Sequence, residues 1–299
     1  MDESRSMTIF RASDGNNVRF EHHDALYNTA DLARRYAKAG YPDRYVVFTE
    51  KQVTSSLTGS RLSEGEFEHG VFISCVLRPS LFPSQAGLIG PLSTLSLATA
   101  LENHTEKKIG INWLNDIICE GKKIGGCHIE GKLDDHTSYE YMIVSFAVRL
   151  DDKNFPPLLT DMVKQVFEPS NRSVGTIIAK NILNKFFTIY KDIRSASKYM
   201  EAYKNKLVLM NKRVKYVNEN LKTSARVVDL DKTSGNLVLK LKSGELVKVN
   251  SPTKIISIKF FADSIHDSKS KHNTKNSKFD IKKAFKSLKI KVLKKPSDF

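Results

Sequence analysis

The chain has 299 residues, 40% of them hydrophobic, and its 48 Lys and Arg against 33 Asp and Glu give a net charge of +15. That length carries one large domain and a small one, and no apolar run nears the roughly 18 residues of a membrane span. Cys75, Cys119 and Cys127 follow no framework spacing, so they read as reduced, buried thiols in a reducing, cytoplasmic compartment.

Residues 1–19 read as a polar leader carrying both charge signs, without the apolar stretch of a secretory signal. Thr29 is placed to cap a helix over Ala30 to Ala37, stopped by Gly40 and Pro42. Tyr45 to Phe48 and Gly70 to Leu77 are β-branched and aromatic runs that predict buried strands, joined by a long polar loop from Thr54 to Glu68. Pro83 to Glu102 is apolar at helical spacing, with a kink expected at Pro91. Strands near 109–112, 125–130 and 139–149 follow, then helices over Leu158 to Phe167 and Val174 to Ile193, the second opened by Ser173. The pattern predicts an α+β fold in which a helical layer packs on a mixed sheet, over residues 20–203. Between 204 and 260 the runs at 214–217, 224–228, 237–241 and 246–249 alternate with Asn, Ser and Gly turns, as in a small β-barrel, with Lys242-Ser243-Gly244 as a hairpin loop. Residues 261–299 form a basic tail. From Ile265 onward it carries eleven lysines and three aspartates, and Ile281, Phe285, Leu288 and Val292 mark one face of a short helix. Such a tail suits an anionic surface, but the chain has no motif for reading bases, so no specific nucleic acid is expected.

The chemistry concentrates between residues 109 and 131. Asn112-Trp113-Leu114-Asn115-Asp116 is followed by Gly121-Lys122-Lys123-Ile124-Gly125-Gly126 and then Glu130. Oxygen ligands, a cation and close backbone access within a few residues are what an anionic phosphate ligand requires. Cys119, Cys127 and His128 lack the spacing of a tetrahedral zinc set, and His22-His23-Asp24 reads as a solvated strand end. Gly59-Ser60 lacks the remainder of a phosphate loop, and no Gly-x-Ser-x-Gly elbow occurs.

Trp113-x-Asn115-Asp116 with Gly121-Lys122-Lys123-Ile124-Gly125-Gly126, supported by Glu50-x-Gln52, Leu77-Arg78-Pro79 and the run Gly235 to Val249, resembles the biotin protein ligase family over roughly Phe20 to Ser257. The resemblance implies a class II synthetase-like catalytic domain with a small C-terminal barrel, in the shorter form without a repressor segment, as a monomer or homodimer. It implies that biotin and ATP with Mg²⁺ yield biotinyl-adenylate, and that the acyl group passes to a lysine of a biotin carboxyl carrier domain. Lys123 matches the family's catalytic lysine. Thr29, Gln52, Arg61, Gly126 and His128 fall at positions facing the acid, and Trp113, Asn115, Asp116 and Arg149 at the nucleotide side, with Asn115 and Asp116 as the implied Mg²⁺ positions.

Departures from the family pattern surround the same site. Where members carry Gly-Arg-Gly-Arg-Arg-Gly, this chain reads Ser55-Ser56-Leu57-Thr58-Gly59-Ser60, with Arg61 retained. Two lost guanidinium groups, at about 1.5–3 kcal/mol for each charge-assisted hydrogen bond, correspond to roughly 10² to 10⁴-fold weaker retention of an adenylate. His128 stands in place of an apolar pocket residue and Arg149 in place of an asparagine. The alternative expectation is a catalytically altered or inactive paralogue that handles lipoate or octanoate, or that serves as a binding or regulatory protein.

Overall fold

The computed structural model describes residues 5–53, 68–81, 83–135, 138–149, 173–218, 221–251 and 255–257. The loop at 54–67 with Arg61, the helix expected at 158–167 and the tail from 261 onward lie outside these residues.

An eight-stranded sheet carries the larger part of the chain, in the order β1-β2-β3-β4-β8-β7-β6-β5. Its strands are β1 (Arg5–Arg11), β2 (Asn17–His23), β3 (Tyr45–Gln52), β4 (Glu68–Leu77), β5 (Ile109–Asn112), β6 (Asp116–Cys119), β7 (Lys122–Leu133) and β8 (Tyr139–Arg149). β2 and β3 run parallel, and α1 (Thr29–Lys38) supplies the crossover that a parallel pair needs; the other neighbours are antiparallel. The leader expected at 1–19 instead supplies β1 and the start of β2. Its charged residues suit an edge strand, where one side of the ladder faces water.

Helix α1 starts one residue earlier than its sequence signal indicated. The Asn28 side chain accepts from the N–H groups of Ala30 and Asp31 at 2.8 and 3.2 Å and is the N-cap, which frees Thr29 for another contact. At the other end Arg78 donates to the carbonyls of Ala37, Tyr41 and Glu140, fastening the helix terminus to the sheet. Val47, Val76, Ile143 and Tyr141 pack beneath α1 with Leu32 and Ala33.

The opposite face of the sheet is covered by α3 (Ile89–Glu102) and α4 (Ser173–Tyr190), preceded by the single turn α2 (Pro83–Ala86). α3 is buried on nearly every side, from Leu92 to Leu101, as expected of a helix that is apolar all round. The chain breaks at Gly87-Leu88 rather than kinking at Pro91, which sits in the first turn where its missing N–H is needed by no one. A 3₁₀ segment (Ile193–Tyr199) and α5 (Met200–Lys206), neither legible as periodic runs, lead to the second sheet. Among the described residues no helix is long and apolar enough to cross a membrane.

The second sheet is five-stranded and wholly antiparallel, in the order β12-β11-β10-β9-β13. Its strands are β9 (Arg213–Asn218), β10 (Leu221–Leu230), β11 (Leu237–Leu241), β12 (Leu246–Val249) and β13 (Ile255–Ser257). The Lys242-Ser243-Gly244 turn forms as expected, with Gly244 at φ +92°. Val214, Val227, Leu237 and Leu239 belong to the same buried core as α3 and α4, so the two sheets share one interior. Trp113 joins them: its indole N–H donates to the Gly235 carbonyl at 2.9 Å.

Candidate functional site

On the face that α1 only partly covers, the strand register lines up a row of polar side chains. Ser74, Ser145 and His128 lie opposite one another across β4, β8 and β7. Ser74 and Ser145 are buried and their hydroxyls are 2.9 Å apart. Ser74 Oγ donates to Thr29 Oγ1 at 3.0 Å, while Thr29 donates both its N–H, at 2.9 Å, and its hydroxyl, at 3.1 Å, to Gln52 Oε1. A single hydrogen-bonded chain therefore runs from the N-terminal turn of α1 into the sheet, through groups 4% exposed or less. Buried polar atoms persist where they are paired, and here the pairing holds each side chain in a fixed orientation. His128, at the end of the row, is exposed.

Two residues along β7, about 6.8 Å at strand spacing, the row reaches Gly126, which faces Ala147 on one side and Asp116 on the other. Gly125 and Gly126 are required by contact rather than by dihedral angle. A Cβ at Gly125 would stand 2.1 Å from the Ala147 carbonyl oxygen, and one at Gly126 would stand 2.6 Å from that of Asn115. The register shifts between Ile117 and Ile118, so one extra residue is accommodated beside the glycines. Lys123, just before this bulge, reaches Asp116 at 2.8 Å, and the two side chains are 35% and 38% exposed. The bulge thus holds a cation over backbone that has no side chain to block a ligand. Arg149 ends β8 opposite Gly70, one position beyond the pair formed by Gly125 and Val148.

The expected residues therefore divide into groups. Thr29 and Gln52 meet in the buried chain, while His128, Gly126, Asp116 and Lys123 follow along the same strands. Trp113, expected at the nucleotide side, is 3% exposed, and its indole N–H links the two sheets. Asn115 and Asp116 do not assemble an Mg²⁺ pair. The Asn115 Oδ1 accepts from Thr94 Oγ1 at 3.3 Å on α3, whereas Asp116, the first residue of β6, turns to Lys123, so different partners hold the two side chains. Arg61 lies outside the described residues.

Ser74, Ser145 and Arg34, the partner of Glu130, are functional candidates that carry no motif. Arg34 on α1 grips Glu130 on β7 through two bonds, of 2.8 and 2.9 Å, and holds the helix over the row. A lone serine inside an otherwise apolar strand was the available signal, since such a hydroxyl must find a partner.

The remaining candidates are structural. Cys75, Cys119 and Cys127 are all buried, and burial pushes their thiols up. Cys127 belongs to the core cluster on the α3 side while the neighbouring His128 is exposed, so the two diverge. His23 is not a solvated strand end: it is 4% exposed, 3.0 Å from the buried carboxylate of Glu21. His22 pairs with Glu50 at 2.6 Å.

This arrangement has counterparts among known proteins. Bifunctional ligase/repressor BirA of Bacillus subtilis (strain 168) is 24% identical over 173 residues, which are 57% of this chain and 53% of the relative. The chain spans about half the length of the curated relatives it matches. A biotin protein ligase from Aquifex aeolicus, solved in complex with biotin and ATP, superposes with a TM-score of 0.56 at 16% identity, covering 79% of this chain and 97% of that one. The chain has the biotin protein ligase fold. A biotin protein ligase-like protein of unknown function from Silicibacter sp. TM1040 shares this ligase fold, with a TM-score of 0.52 at 15% identity over 84% of this chain and all of that one. No family model matches.

Proposed function

We propose that the chain activates biotin with ATP to biotinyl-adenylate and transfers the acyl group to a lysine of a biotin carboxyl carrier domain. The observation that carries this reading is the continuous line from the Thr29–Gln52–Ser74–Ser145 chain, past the bare backbone of Gly125 and Gly126, to the Lys123–Asp116 pair. A carboxylate oxygen must approach an α-phosphate, so like charges meet, and a fixed ammonium group offsets their repulsion as pyrophosphate leaves. Lys123 supplies that charge, and Asp116 holds it in position. The carrier's lysine amine then attacks the acyl carbon and AMP departs. Mg²⁺, bound with ATP, would supply further positive charge against the phosphates.

The hydroxyl row bears on which acid is taken. A site built to hydrogen-bond rejects an analogue that offers nothing in return, so an acid with a polar far end, such as biotin's cyclic urea, is favoured over octanoate. His128 beside Ser145 supports a second reading, in which the fold serves another polar carboxylic acid. Acid-dependent exchange of pyrophosphate into ATP tests both. Exchange with biotin, abolished by Lys123→Ala, is the expected result. Exchange with lipoate or octanoate alone transfers the assignment to that acid, and none with any acid removes the catalytic reading.

A further inference from the structure

The exposed face of the small sheet carries cations that nothing in the ligase reading uses. Arg213 on β9, Arg226 on β10 and Lys240 on β11 stand directly opposite one another across three neighbouring strands. Lys215 and Lys222 extend the row along β9 and β10, and Lys242 follows at the end of β11. All six are exposed. Between them lies a groove of about 240 Å³ lined by Arg213, Ser224, Arg226, Lys240 and Lys242.

Among the described residues none of the six has an ion-pair partner. Of the described acids of this sheet, Asp229 holds Lys204 at 2.7 Å and Asp231 holds Lys248 at 2.6 Å, while Glu245 lies at the hairpin between β11 and β12. Neighbouring strands lie about 4.8 Å apart, and alternate residues on one strand about 6.8 Å apart. Like charges directly opposite each other destabilise a sheet. Folding alone does not call for this placement, and an extended anion relieves it.

We infer that this face binds the phosphodiester backbone of nucleic acid, without reading bases. The choice of partner follows from what accompanies the charges. Protein interfaces concentrate their energy in well-packed, desolvated anchors, chiefly Trp, Tyr and Arg set in pockets, and an interfacial membrane face draws its strength from apolar side chains that insert. Among the described residues of this sheet the large exposed hydrophobic one is Leu246, on the edge strand β12, and Tyr216 of β9 is buried on the other side. The described residues of this face offer no exposed aromatic ring on which a base would stack. Lysine and arginine contacts to phosphate, by contrast, need no apolar anchor.

Fluorescence anisotropy of a labelled 30-nucleotide mixed-sequence single strand, titrated with the full chain at several salt concentrations, tests the inference. A single-strand phosphate contact contributes about 0.7 to the slope of log affinity against log salt. The full-chain variant R213Q/R226Q/K240Q retains the tail and all other lysines, so its slope should fall by about 2 and its affinity at 0.1 M salt by roughly 100-fold. Oligo-dT and oligo-dA should bind alike. An unchanged slope and affinity overturn the inference, leaving any binding to the tail. Tighter capture of a polyglutamate peptide or of phosphatidylserine vesicles overturns it in favour of those partners, and displacement of the strand by micromolar ATP assigns the face to the nucleotide site. Should the triple variant unfold, K215Q/K222Q on the same face is expected to lower the slope by about 1.4.

Discussion

At one end of the site Thr29, Gln52, Ser74 and Ser145 are buried and bonded in one chain, whereas at the other Lys123 and Asp116 are more than a third exposed and hold each other. The two ends suit different tasks. A preformed buried chain fixes the shape into which an uncharged group must fit, at the cost of tolerance. A partly wet ion pair is screened by water until a ligand dries it, and its field strengthens as the local dielectric falls. Lys123→Ala is the sharpest way to separate them. Loss of one charge-stabilising group lowers the rate about 10² to 10³-fold, while an exposed ion pair contributes only about 0–1 kcal/mol to stability. Pyrophosphate exchange should therefore collapse while the melting temperature barely moves. Exchange that survives would separate the cation end from catalysis.

The join between the ends is expected to behave in the opposite sense. Gly125→Ala places a methyl group 2.1 Å from the Ala147 carbonyl oxygen, and backbone on a central strand cannot swing aside. A cost near the upper end of the overpacking range, about 3 kcal/mol, should lower the melting temperature by roughly 6–12 °C at the 2–4 °C per kcal/mol of a chain this size. A variant of normal stability would mean that β7 and β8 separate easily and that the glycines serve ligand access alone. Thr29→Val is the milder test of the buried end. It removes Ser74's acceptor and one donor to Gln52, and orphaned buried groups cost about 1–3 kcal/mol. KM for the acid should rise more than kcat falls, measured by exchange at varied acid concentration; a change confined to kcat would place the hydroxyl chain at the reacting atoms instead.

The two ends also differed in how far they were legible. Lys123, Asp116, Gly125 and Gly126 stand out because a lysine pair, an acid and two glycines crowd a short stretch, and the physics that unites them is local. Thr29, Gln52, Ser74 and Ser145 come from α1 and three strands, and only the register brings them together. No spacing rule spans separations such as the 71 residues between Ser74 and Ser145. The helices at Thr29–Lys38 and Ser173–Tyr190 and the strands β9 to β12 of the second sheet followed their periodicity, whereas β13 gave no signal of its own. Nor did β1, because an edge strand exposed on both faces has no alternation to read: its residues are exposed apart from half-buried Phe10. The link that Trp113 makes was hidden for a related reason. Its place beside Asn115 and Asp116 suggested the site, but its partner Gly235 lies 122 residues away.

A second ionic contact, remote from the site, calibrates the Lys123–Asp116 pair by its response to pH. Asp14, in the turn between β1 and β2, accepts from Arg44 at 2.7 Å and from the side chain and N–H of Asn16 at 3.1 and 3.2 Å. Arg44 in turn lies 4.3 Å from the Phe187 ring centre, so the pair ties the turn to α4. Burial acts most strongly on the Asp14 carboxyl and in the upward direction, but the bonds from Arg44 and Asn16 together outweigh it and hold the group below its ordinary 3.8. The folded state therefore favours the ionised form. Its contribution is complete above the ordinary value and is lost as pH falls from there through the lowered one. In urea unfolding the advantage of the native chain over Asp14→Asn should be constant from pH 7 to 5 and should shrink towards pH 3. The Lys123→Ala stability difference, already small, supplies the reference for an exposed pair. Equal pH responses in the two variants would mean that Arg44 and Asn16 lend Asp14 no more support than water does.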